Sequence, residues 1–145
     1  MEPAVPFSYL TGVKEGIRKG EFRERRNGMI RIKRVYEKPD PSDEIRILVD
    51  RLWPRGVSKA AARIDEWRKD LAPTDALRKW FNHDPRKWEE FRLRYRNELD
   101  ASRKMEDLKE LAGRVKTETV TLLYAAHDKT RNNAVALKKI IEKFL

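Results

Sequence analysis

Ile45-Arg46-Ile47-Leu48-Val49-Asp50-Arg51-Leu52-Trp53-Pro54-Arg55-Gly56 is the stretch on which the fold turns. Its centre, Ile47-Leu48-Val49, is apolar at consecutive positions, so a strand here has both faces covered, as an interior strand does. Pro54 biases Trp53 to extended backbone, and Gly56 permits a tight reversal that ends the strand. A second segment reads the same way: Val120-Thr121-Leu122-Leu123-Tyr124-Ala125-Ala126 is again apolar on both faces. Helical sequence lies between the two. Strands buried on both faces and joined by helices predict a parallel pair at the centre of a small α/β sheet.

Outward from this pair, Met29-Ile30-Arg31-Ile32-Lys33-Arg34-Val35-Tyr36 alternates apolar and polar residues, as a strand with one buried face would. Lys38-Pro39-Asp40-Pro41-Ser42-Asp43 reads as a turn. The short link to the next strand allows a hairpin. Four helices are expected between the second and last strands. The first is capped by Ser58, with Ala60, Ile64, Trp67 and Leu71 as one stripe, or starts later with Asp65 as cap. The second is capped by Thr74 and carries Leu77, Trp80 and Phe81. The third follows Asp84-Pro85 and places Trp88, Phe91, Tyr95 and Leu99 on one face, and the fourth carries Met105, Leu108, Leu111, Ala112 and Val115. A further short strand within Ala61 to Ile64 would thicken the sheet. A C-terminal helix from about Thr130 turns Ala134, Leu137, Ile140, Ile141 and Phe144 inward. The expected fold is thus a small, partly parallel α/β sheet, with an inserted run of helices between the second and last strands and a C-terminal helix. Residues 1–28 hold four of the six glycines and two prolines, with weak periodicity. They read as a loosely structured extension before a single domain over 29–145, with Met29 as a candidate natural start.

The chain has 145 residues, 34 Lys+Arg and 24 Asp+Glu, for a formal charge of +10. It has no Cys, which excludes disulfides, thiolate metal sites and cysteine nucleophiles. With only two His, a transition-metal site is not expected. No apolar run is long enough to span a bilayer and no secretory signal is visible, so the expected location is the cytoplasm. No sequence signature of a cofactor is present. Charged residues at 40% without Cys also fit a protein from a hot environment. The basic excess attracts anions, but it is dispersed and much of it solvates helix surfaces.

In open α/β sheets, ligands bind beyond the carboxyl ends of the strands. That rule selects Asp50, Arg51, Trp53, Arg55 and Gly56 after the second strand. After the last strand it selects His127, Asp128, Asn132 and Asn133. Guanidinium forks and a helix N-terminus suit a phosphate or carboxylate. Asp50, Asp128 and His127 are the acid/base candidates if there is catalysis. Each residue also has a plainer structural reading. Asp50 and Arg51 could pair, Trp53 could pack, and Asp128 or Thr130 could cap the last helix. Two adjacent asparagines in a first helical turn ask for a hydrogen-bonding reason. The leading expectation is a pocket for a small phosphorylated or carboxylated ligand, with an enzyme of unknown reaction as one form of it. The alternative is a basic protein that binds nucleic acid, in a regulatory role, through the aromatic and arginine-rich helix from Arg86 to Arg96. Core packing is the stronger reading of that stripe.

The strand-end motif resembles the signature of the YeaO-like branch of the domain-of-unknown-function 488 family. Asp65-Glu66-Trp67, Leu71-Ala72-Pro73, Leu77-Arg78-Lys79-Trp80-Phe81, His83-Asp84-Pro85 and Leu122-Leu123-Tyr124-Ala125-Ala126 match the same pattern in order, and Asn132-Asn133-Ala134 with Leu137 completes it. The resemblance runs from about Met29 to Leu145. It implies a small, soluble, largely bacterial and archaeal group without an assigned activity. In that family the segment matching Arg131-Asn132-Asn133 often holds a His, and here it does not. A shared histidine catalyst at this position is therefore not implied for this chain.

Overall fold

All five residues of strand β4 (Val120–Tyr124) are buried. In the computed structural model, which describes residues 27–145, β4 has a parallel neighbour on each side. β1 (Ile30–Arg34) pairs along one edge, from Ile30 opposite Val120 to Arg34 opposite Tyr124. β2 (Ile45–Leu48) pairs along the other, from Ile45 opposite Val120 to Leu48 opposite Leu123. The hairpin expected between β1 and β2 is therefore corrected: both strands flank β4, and the link over residues 35–44 returns the chain to the start of the sheet. A strand apolar on both faces is best covered in the middle, and β4 takes that place. A single 3-10 turn (Pro41–Asp43), capped by Asp40, completes the link.

β3 (Glu66–Trp67) adds to the outer edge of β2, giving the order β1-β4-β2-β3, all parallel. This corrects two further expectations. The extra strand lies just beyond the Ala61–Ile64 segment, and the helix begun by Ser58 does not reach Leu71. Ser58 does cap α1 (Lys59–Ala62), accepting from the Ala61 amide at 3.0 Å. Arg63 then takes a left-handed conformation, φ 52°, and stops the helix. Ile64 and Leu71 enter different core clusters rather than one stripe.

The other helices cover one face of the sheet. These are α2 (Asp75–Phe81), α3 (Trp88–Ala101), α4 (Met105–Val115) and α5 (Asn133–Glu142). Thr74 caps α2, and Asp84 with Pro85 opens a 3-10 turn that leads into α3. Phe91, Tyr95 and Leu99 are buried along one face of α3, and the rings of Phe81 and Phe91 stack at 4.4 Å. This confirms the core reading of that stripe. α5 lies on β1 and β4 and starts at Asn133, a few residues later than expected.

The opposite face is covered more thinly, by α1 and the link before β2. A small cluster of Val35, Leu48, Ala62, Ile64 and Leu123 sits there. Beside it Asp43 is fully buried, 2.5 Å from Arg46 and 3.0 Å from Lys33. Thr121, the one polar residue of β4 among Val120, Leu122 and Leu123, donates to the Asp43 carbonyl at 2.8 Å. Gly28 is fixed by contact: a Cβ there would lie 1.8 Å from the Glu118 carbonyl oxygen. The extension expected over residues 1–28 lies, through residue 26, outside the described residues. Among the described residues, no helix is long and apolar enough to cross a membrane.

Candidate functional site

Because β2 and β4 are parallel neighbours, their carboxyl ends deliver two loops side by side. β2 leads into Asp50 to Gly56, and β4 leads into Ala125 to Asp128. Asn132, the N-cap of α5, and Asn133, its first residue, close the gap between them. A cavity of about 700 Å³ opens here. Of the residues singled out from sequence, Asp50, Arg51, Trp53, Arg55, His127, Asp128, Asn132 and Asn133 all line it. Gly56 does not; its φ of 74° serves the turn.

The side chains differ in what they leave free. Arg51 donates from Nε to the Pro73 carbonyl at 2.9 Å and more weakly to Ala72 at 3.3 Å. It does not pair with Asp50. Asp50 instead accepts from the Ala125 amide at 2.9 Å and from Asn133 Nδ2 at 3.1 Å. Loss of water around this carboxyl raises its pKa, and the bonds from Asn133 and Ala125, with the charge of Arg78, oppose the rise. Asn133 also donates to the Val49 carbonyl at 2.8 Å, so it ties the end of β2 to the start of α5. Asn132 holds the backbone on both sides of it. Its Oδ1 accepts from the Val135 amide at 3.0 Å, and its Nδ2 donates to the Asp128 carbonyl at 2.9 Å. That is the hydrogen-bonding reason the asparagine pair asked for.

Asp128 folds its own loop. It accepts from the amides of Thr130 and Arg131 and from Arg131 Nε. The Thr130 amide, ahead of the Thr130 hydroxyl and Arg131, holds its carboxyl below the ordinary value against the effect of burial. An acid kept ionised in this way is a weak proton donor at neutral pH. His127 is exposed on the cavity edge. Trp53 donates its indole N–H to the Val57 carbonyl at 2.8 Å and meets Trp67 edge to face at 5.2 Å.

The structure also adds residues that sequence reasoning missed. Arg78 from α2 and Arg131 line the cavity, as do His83, Phe81 and Phe91. The only two histidines of the chain, His83 and His127, therefore both face this one space. His83 and Asn82 have consecutive positive φ angles, 56° and 45°, uncommon for residues with a side chain. That break between α2 and α3 carries His83 onto the cavity wall. The sum is four arginines, Arg51, Arg55, Arg78 and Arg131, against two carboxylates, Asp50 and Asp128. Aromatic rings complete the wall. Among the described residues, no cluster of His, Asp and Glu fits a metal ion.

Residues 29–145 match the family described as the inactive DUF488-N3 subclade. The chain is 43% identical over 108 residues to the uncharacterized protein YeaO of Escherichia coli K12, covering 74% of this chain and 92% of that protein. It is 40% identical over 116 residues to an uncharacterized protein of Mycobacterium tuberculosis H37Rv, covering 80% of this chain and 96% of that one. No solved structure matches it.

Proposed function

The chain belongs to the DUF488 family, in its inactive DUF488-N3 subclade, and from that premise we propose that it binds a small organic anion at the strand ends rather than transforming one. One observation carries this reading: Arg51, Arg55, Arg78 and Arg131 converge on a cavity of about 700 Å³ that also holds apolar and aromatic side chains, with Asp75 beside Arg78 and Asp128 beside Arg131 as their acidic partners. That size is within the range that encloses a ligand of several tens of atoms. A phosphate or carboxylate would meet the guanidinium groups. The partly exposed Trp53 ring would cover an apolar body.

Two of the three acid/base candidates, Asp50 and Asp128, support binding better than turnover. Asp128 is used by its loop, and Asp50 is held by neutral donors at the junction of β2, β4 and α5. The nucleic-acid alternative has less support. On α3, Phe91, Tyr95 and Leu99 of the aromatic stripe are buried in the core and present no free face on which bases could stack.

Thermal unfolding in a panel of organic phosphates and carboxylates tests the proposal. An anion at about 100 times its Kd adds about 2.7 kcal/mol of stability. Arg55→Ala with Arg78→Ala should weaken that stabilisation at least tenfold in ligand concentration, since neither side chain holds the core. No stabilisation by any anion, or the same stabilisation in the double variant, refutes it.

A further inference from the structure

Asp50 is the odd group in a cavity built for anions. Its two oxygens each accept one bond, from a backbone amide and from a carboxamide. Both donors are neutral, and among the described residues no Lys or Arg forms an ion pair with this carboxylate. Arg51, the next residue in the chain, turns away and donates to the carbonyls of Ala72 and Pro73. A carboxylate oxygen has room for two donors, so each Asp50 oxygen keeps a second acceptor position. The whole group is fixed in place. The Asp50 carbonyl accepts from the Trp67 indole at 2.8 Å, and Asn133 is locked in turn by the Val49 carbonyl.

A carboxylate that is rigid, half-buried and unpaired beside four arginines repels an anion unless the ligand satisfies it. A hydrogen-bond donor on the ligand does so. An ammonium donor would have to enter among the guanidinium charges of Arg51, Arg55, Arg78 and Arg131, which disfavours it. A hydroxyl carries no such penalty. We infer that Asp50 is a specificity-determining residue that accepts a hydroxyl of the ligand, so that the pocket selects hydroxylated organic anions, such as a hydroxy acid or a polyol phosphate, over their deoxy counterparts. This rests on the anion-binding reading above and adds the ligand's second functional group.

The test compares glycerol 3-phosphate with n-propyl phosphate by calorimetric titration of the intact protein. The two share a charge and a three-carbon body and differ in hydroxyls. The native protein should bind the glycerol ester about tenfold more tightly, the usual scale for a hydrogen bond to a charged acceptor. In Asp50→Asn the ratio should fall to about twofold, and in Asp50→Ala the preference should vanish. Circular dichroism checks that both variants fold, and the native ratio stands whatever the variants do. Equal binding of the two esters by the native protein overturns this inference and leaves the anion pocket intact. An unchanged ratio in a folded Asp50→Asn does the same. Failure of both esters to bind the native protein also overturns this inference, while the pocket itself stands or falls on the anion panel above.

Discussion

Asp43 and Asp50 stand at opposite ends of β2 and meet opposite fates. Burial would raise the pKa of Asp43, but bonds from Lys33, the Asp40 amide and Arg46 together hold it below the ordinary carboxylate value. A lowered carboxyl contributes stability above its unfolded value, and that contribution is lost as pH falls through the folded one. Asp43→Ala should cost about 3–5 kcal/mol at pH 7, because it strands the buried Arg46 charge. Urea unfolding measures this, and the variant should also lose less stability than the native chain on going below about pH 4. A cost under about 1 kcal/mol would show the cluster to be weak. Asp50 works in reverse. Its raised value means that its contribution is present below the unfolded value of 3.8 and is lost as pH rises through the folded value. The stability of Asp50→Asn relative to native should therefore improve as pH climbs from about 3 to about 6, read from paired melting curves. A difference that is flat with pH would place Asp50 in water. Neither behaviour is legible in sequence: both are aspartates flanking one strand, and only the three-dimensional partners separate them.

At the scale of elements, the start of α5 sets the geometry of the cavity. Asn132→Ala removes the cap and the bond that holds the Asp128 carbonyl. A loss of about 2 kcal/mol is expected in chemical denaturation, with Asn132→Asp recovering about half through the retained cap. A loss below about 0.5 kcal/mol would mean that the cap is idle. The asparagine pair announced this role, since two poor helix formers in a first turn need local bonds. β4 and β2 were equally plain from their unbroken apolar runs. The neighbours of β1 were not. A short link is compatible with a hairpin, and only the need of β4 for cover on both edges separates β1 from β2. β3 escaped because two residues, Glu66 and Trp67, carry no period, and the α1 stripe misled because Ile64 and Leu71 are apolar for different clusters.

Across the whole molecule, the 34 lysines and arginines are dispersed, many of them in local ion pairs, and the arginines at the strand ends are a small share of them. The strand-end rule located Arg51 and Arg55 from sequence alone. Arg78 and Arg131 escaped it, because an arginine on a helix or in a loop looks the same whether it faces solvent or a cavity. His83 escaped for a different reason: two successive left-handed residues turn it toward a wall that helix periodicity cannot foresee. The central claim is that anions gather at the carboxyl ends of β2 and β4, and crystals soaked in tungstate, an electron-dense phosphate mimic, address it most directly. The strongest anomalous peak is expected inside the cavity, within contact of Arg51 or Arg78 and next to Asn133. A strongest peak on the outer face of α3, or none in the cavity at a concentration that labels the surface, would contradict it.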